Sequence, residues 1–179
     1  LRTCFQNTNV GRANAVLTIH NLRFQGIYDR KMIQYWSGLP DYVFNKDCMI
    51  QNWLDANMLK GGIAYCNKIT TVSNTYAGEI QTEEYGEGLA EHLRYHNNKI
   101  RGIVNGIDTD NWNPATDKLL TANYDAESAV ENKKINKKAL QESLGLEVDD
   151  HKMVIGLISR LTNQKGLDLV NAVIPGIMD

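Results

Sequence analysis

The chain contains only three cysteines, Cys4, Cys48 and Cys66, odd in number and without a Cys-x-x-Cys spacing. That excludes a disulfide framework and offers no zinc site, so reduced cytosolic thiols are expected. No apolar run approaches the ~20 residues that cross a bilayer, so no membrane partner is expected. An excess of charge of one sign is missing too. The 19 Lys plus Arg stand against 21 Asp plus Glu, for a net −2, whereas a nucleic-acid face needs a basic stripe. No G-x-G-x-x-G opens a helix, which argues against a hydride-transferring dinucleotide enzyme. There is neither an internal repeat nor a low-complexity tract. At 42% hydrophobic residues the composition is that of a globular protein.

Strand-like and helix-like stretches alternate, which implies an α/β fold with a parallel, doubly wound sheet. Residues 13–19 read as a buried strand with His20 and Asn21 at its C-terminal end. Residues 28–39 read as a short helix with turns. Over residues 51–66, Trp53, Ala56, Leu59, Ile63 and Ala64 recur at helical steps and predict one helix. Gly61-Gly62 inside it points to close packing or a break. Residues 68–72 are a β-branched strand, with Ser73 placed to cap a helix running to about residue 81. A polar loop at 83–88, a short helix at 89–95 and a strand at 100–104 follow. Residues 110–132 read as a polar wrapping segment anchored by Trp112 and Tyr124. A helix at 133–144, closed by Gly145, comes next.

The most telling stretch is 153–170. Its apolar run, 153–158, predicts a buried parallel strand. A polar turn with Arg160 and Lys165 leads through Gly166 into an apolar helical face. Open α/β sheets bind ligands beyond the C-terminal ends of their strands. Two cations five residues apart before a helix suit a doubly negative group such as a diphosphate. Taken alone, they read more simply as the residues of a solvated strand-to-helix turn. Likewise, His20 alone reads most simply as structural and Asn105-Gly106 as a tight turn. Lys60-Gly61-Gly62 lacks the phosphate-loop pattern and reads as helix packing. Gly86-Glu87-Gly88 is a poor phosphate cradle with Glu83, Glu84 and Glu87 beside it. Residues 132–138 are a solvated helix face.

Four words in order then carry a resemblance. They are Thr18-Ile19-His20-Asn21-Leu22-x-Phe24-Gln25-Gly26; Leu59-Lys60-Gly61-Gly62 with Ile69-Thr70-Thr71-Val72-Ser73-x-Thr75-Tyr76-Ala77; Gly102-Ile103-Val104-Asn105-Gly106-Ile107-Asp108 with Trp112-Asn113-Pro114; and Ser159-Arg160-Leu161-Thr162-x-Gln164-Lys165-Gly166-Leu167-Asp168-Leu169. Together they resemble the bacterial glycogen synthases and plant starch synthases, retaining glucosyltransferases of the GT-B fold that use ADP-glucose.

The resemblance implies that residues 1–108 are the later part of the Rossmann-like N-terminal catalytic domain. Residues 109–150 would be an interdomain segment and helix, and 151–179 the first βα unit of the nucleotide-binding domain. His20 and Asn21 would line the donor glucose, Asn105 would face it, and Asp108 would line the site or cap the turn. Arg160 and Lys165 would neutralise the diphosphate, with no bound metal and no cofactor. His20, Arg160 and Lys165 form the expected catalytic set. The partners implied are ADP-glucose and an α-1,4-glucan, in the cytoplasm or a plastid.

The chain departs from the family at Gly88-Leu89-Ala90-Glu91, where Gly-Leu-Asp-Gly is common. Neither the N-terminal Lys-x-Gly-Gly-Leu loop nor the late acidic loop has a match. With Leu at position 1 and a lone βα unit at the end, the chain reads as an internal fragment expected to be inactive alone. A UDP-glucose enzyme of the same fold, and a non-catalytic glucan-binding relic of it, remain alternatives.

Overall fold

The computed structural model describes residues 5–178. The chain forms two compact units, 1–106 and 107–179. Elements run α1 (Asn9–Arg12), β1 (Val16–Ile19), β2 (Ile27–Asp29), α2 (Arg30–Ser37), β3 (Asp55–Asn57), α3 (Met58–Tyr65), β4 (Lys68–Thr71), α4 (Asn74–Glu79), α5 (Ala90–Tyr95) and β5 (Ile100–Gly102) in the first unit. The second unit holds α6 (Ala129–Ser143) and α7 (Leu167–Met178).

β1, β4 and β5 make a parallel sheet in the order β1-β4-β5. Leu17 faces Ile69 across the first pair, and Ile69 faces Ile100 across the second. Crossovers through α3 and through α4–α5 connect these strands, as parallel pairing requires. The main core is built on this sheet from Ile19, Leu22, Ile63, Ile69, Ile80, Leu89, Leu93 and Ile100. A satellite cluster of Val43, Phe44, Met49 and Ala56 packs under the 39–50 segment. Cys66 is buried, which pushes its thiol pKa up despite the nearby Lys99. Cys48 is also unpaired; Cys4 lies outside the described residues.

Four expectations are corrected here. The predicted helix over 51–66 begins only at Met58. Asn52 Oδ1 accepts from the Leu54 and Asp55 amides at 2.8 Å, which turns the chain. Residues 55–57 then pair antiparallel with β2, and Asn57 caps α3 by accepting from the Lys60 amide at 2.9 Å. Local side-chain capture of the backbone overrides helical periodicity here. Trp53 is 95% exposed and anchors nothing.

The predicted buried strand at 153–158 is unpaired coil, with Met153 83% and Ile158 102% exposed. A strand's hydrogen bonds come from its neighbours, and among the described residues its own unit contains no strand. Finally, α6 starts at Ala129, four residues before the expected 133. Asp125 accepts from the Ser128 amide at 2.9 Å and from its hydroxyl at 2.6 Å, so the first turn forms early. Lys133 lies over the half-buried Tyr124 ring at 5.6 Å, while Trp112 is exposed rather than an anchor.

Ser73 caps α4 as expected, accepting from the Tyr76 amide at 2.9 Å. Gly145 closes α6 at φ +68°, with the Leu146 amide donating back to the Gln141 carbonyl. α7 forms the helix expected after Gly166.

Candidate functional site

Because β1, β4 and β5 run parallel, their C-terminal ends share one edge of the sheet. This is the edge where open α/β sheets bind ligands. Two threonines brace it. Thr71 Oγ1 donates to the Ile19 carbonyl at 2.7 Å, and the Thr18 and Thr70 hydroxyls meet at 2.9 Å. Beyond β1 the chain exposes His20 and Asn21, then buries Leu22 completely in the core. Asn21 Oδ1 accepts from the Arg23 amide at 2.8 Å, an Asx turn that redirects the chain. Beyond β5 the Ile103 amide donates to the Thr71 carbonyl at 2.7 Å and carries Val104 and Asn105 onto the same edge. His20, Asn21 and Asn105 thus leave the sheet on either side of the β4 end. Anchored backbone with exposed polar side chains is the form expected of a binding edge.

Asn105-Gly106 does not form the expected tight turn. The turn lies at Thr109–Asp110 and is held by Asp108. Its carboxylate accepts from the Asp110 and Asn111 amides at 3.1 and 3.0 Å and from Asn111 Nδ2 at 2.6 Å. The Asn111 hydrogen bonds hold its pKa below the usual carboxylate range. Asp108 is therefore occupied as a local cap.

Arg160 and Lys165 also belong to the second unit, and both are exposed. The Thr162 amide donates to the Arg160 carbonyl at 2.9 Å, and a single 3-10 turn, Asn163–Lys165, ends at Gly166 with φ +64°. Only this left-handed residue lets the chain turn directly into α7. Both cations are delivered on the approach to a twelve-residue helix.

Lys60-Gly61-Gly62 is excluded as a phosphate loop by hydrogen-bond accounting. The first α3 amides are all taken: Met58 donates to the Gly26 carbonyl at 3.1 Å, Leu59 to Gln25 at 2.9 Å, and Lys60 to the Asn57 side chain. Lys60 Nζ donates to the Lys46 and Ile50 carbonyls at 2.6 and 2.9 Å, and burial lowers its pKa against the pull of Asp47. At Gly61 a Cβ would come 2.5 Å from Met49 Cγ, so the glycine serves close packing. An apolar cleft of about 350 Å³ lies against β1 and α3, with Leu17, Val43, Met49 and Tyr65 in its wall. None of its lining side chains is charged, so it is no diphosphate site. Among the described residues no three His, Cys, Asp or Glu side chains gather as a metal site, and no helix is long and apolar enough to cross a membrane.

Sequence reasoning missed a seam of His and Lys side chains where α5 and Lys99 meet α3, for which the i, i+4 spacing of His92 and His96 was the available signal. His92 Nε2 lies 3.1 Å from the Lys60 carbonyl, and the two imidazoles meet edge to face at 4.8 Å. Lys99 Nζ donates to the Ala64 carbonyl at 3.1 Å, at the end of α3. Burial, reinforced by Lys99 and His92, pushes His96 from 6.5 down to about 4; burial lowers His92 as well. Both rings are thus favoured neutral in the fold. As pH falls below 6.5 the unfolded chain binds protons that the folded chain refuses, so stability declines until pH passes the folded value of about 4. The thermal midpoint should therefore fall between pH 6.5 and 4, and His96→Gln should flatten that slope. An unchanged slope in the variant would show that the seam does not control it.

Residues 1–95 match the family model of the starch synthase catalytic domain. A glycogen synthase of Lachnospira eligens is 53% identical over 156 residues, which is 87% of this chain and 32% of that protein. One from Thermotoga maritima is 52% identical over 159 residues, 89% of this chain and 32% of that protein. The chain spans about a third of the length of the curated relatives it matches. A solved structure, the catalytic domain of starch synthase IV from Arabidopsis thaliana bound to ADP and acarbose, matches with a TM-score of 0.89 at 36% identity. That match covers 98% of this chain and 36% of the other. The α/β architecture is of the GT-B glycosyltransferase type. With a family model covering more than half of its residues, and glycogen synthases as relatives at about half identity, the chain belongs to the starch synthase catalytic domain family.

Proposed function

We propose that the complete protein transfers glucose from ADP-glucose to the non-reducing end of an α-1,4-glucan with retention of configuration. The observation that supports this most is the sheet edge where His20, Asn21 and Asn105 emerge from anchored backbone. These side chains can hydrogen-bond sugar hydroxyls. Such partners discriminate strongly, because a missing hydroxyl leaves them unpaired. Arg160 and Lys165 take the diphosphate. Cleaving the bond between glucose and the nucleotide leaves negative charge on the β-phosphate oxygen. A planar guanidinium can grip two oxygens while the ammonium acts as a point charge. The N-terminus of α7 adds its dipole in the same sense. Asp108 shapes the turn after Asn105 rather than holding sugar. Residues 1–108 serve the acceptor-side domain, 109–150 the interdomain passage and 151–179 the start of the nucleotide domain. Closure of the two domains would keep water from the activated glucosyl group. The cytoplasm, or a plastid in a plant, is the expected compartment.

The two cations suit either nucleotide, so the test uses the complete protein with labelled ADP-glucose and UDP-glucose and follows label into glycogen. Incorporation from ADP-glucose is expected. Incorporation from UDP-glucose alone would move the donor assignment. Incorporation from neither would favour a glucan-binding protein without catalysis.

A further inference from the structure

The turn that carries His20 and Asn21 is held at its far end by a buried chain of amides. Gln25 is 7% exposed and Asn57 0%. Asn57 Nδ2 donates to Gln25 Oε1 at 2.6 Å and to Gln51 Oε1 at 2.9 Å, while its Oδ1 accepts from the Lys60 amide. Gln25 Nε2 donates in turn to the Glu87 carbonyl at 2.8 Å. Glu87 has φ +48°, the one non-glycine residue with positive φ among the described residues. Backbone in that region persists only where its surroundings impose it. The Gln25 and Gly26 carbonyls also accept the first two α3 amides. Two segments distant in sequence, around Asn57 and Glu87, therefore converge on Gln25, with Gln51 joined through Asn57, and the polar groups used are paired.

A buried polar network of this kind is rigid when complete and costly when broken, because each lost partner leaves a desolvated group unpaired. Leu22 pins the turn on one side of His20 and Asn21, and Gln25 pins it beyond. We propose that Gln25 and Asn57 are positioning residues. Their relay fixes the 20–26 turn against α3 and the 86–88 loop, and so sets the direction in which His20 and Asn21 leave the sheet edge. This deepens, and rests on, the reading of those two side chains as sugar ligands.

The test is Gln25→Met in the complete protein, a change close in volume that removes both side-chain hydrogen bonds. Two readouts are taken. Amide exchange should quicken at least ~10-fold at Met58 and Leu59, whose amides donate to the Gly26 and Gln25 carbonyls, while strand 68–71 keeps its protection. Unchanged exchange at Met58 and Leu59 overturns the relay whatever the activity shows. Turnover should fall roughly 10- to 100-fold, the scale of a small misplacement of binding groups. Because Gln25 would act through His20, the same substitution should cost far less in a His20→Ala background. Equal losses in both backgrounds would overturn the proposed route through His20. If His20→Ala alone leaves turnover intact, the sugar-ligand reading fails, and the exchange result still decides the relay.

Discussion

Replacing Arg160 with alanine in the complete protein is expected to lower turnover at least ~100-fold, the scale of removing one preorganised charge donor. The charge that develops on the leaving diphosphate is absent from the ground state. The loss should therefore fall on turnover more than on binding of the glucan. The structure makes the experiment clean. The Arg160 side chain is exposed, and the hydrogen bond that shapes its turn comes from Thr162 to the Arg160 carbonyl, which alanine retains. Stability should stay within about 0.5 kcal/mol, as for surface substitutions generally. Arg160→Lys keeps the charge and loses the two-pronged grip, so it should fall between alanine and wild type. Near-normal turnover in Arg160→Ala would remove the phosphate role from this residue.

The largest expected effect on stability is at Gly102, the last residue of β5 and the partner of Thr71. A Cβ there would strike the Ser73 carbonyl and the Asn74 amide nitrogen, at the junction of β4 and α4. These are backbone atoms and cannot swing aside like the end of a side chain. Gly102→Ala should cost about 3 kcal/mol, the upper end for overpacking, and lower the thermal midpoint by several degrees. Gly78 supplies the contrast. It lies within α4, and nothing is within 4 Å of an added Cβ. Gly78→Ala should gain roughly 0.5–1 kcal/mol of helix propensity. A Gly102→Ala protein as stable as wild type would mean that β5 and α4 separate more easily than their close approach implies.

Much of the first unit is legible in the order of its residues. β1, β4, β5, α4 and α5 each announce themselves within a few residues, through β-branched runs, a serine cap or helical spacing. The strand-end position of His20 and Asn21 follows from the same local signals. The errors fall where a residue's fate depends on partners far along the chain. Trp53 and Ala56 look like a helical face until Asn52 captures two amides and residues 55–57 find β2. Residues 153–158 have the composition of a central strand, yet composition cannot supply the neighbour that makes a strand. Gln25 and Asn57 are separated by 32 residues and Gln25 and Glu87 by 62, so nothing local marks them as a relay.

By itself, then, the sequence determined the α/β class, the order of the parallel strands' segments and the residue types offered at their ends. Capping, periodicity and apolar runs act over a single turn or strand, and such short-range preferences survive in isolation. Only the tertiary structure decided which edge gathers His20, Asn21 and Asn105, that Asp108 is spent on its own turn, and which amides close over Gln25. Those outcomes depend on pairing and burial between segments tens of residues apart, and their free energy exists only once the chain has brought the segments together.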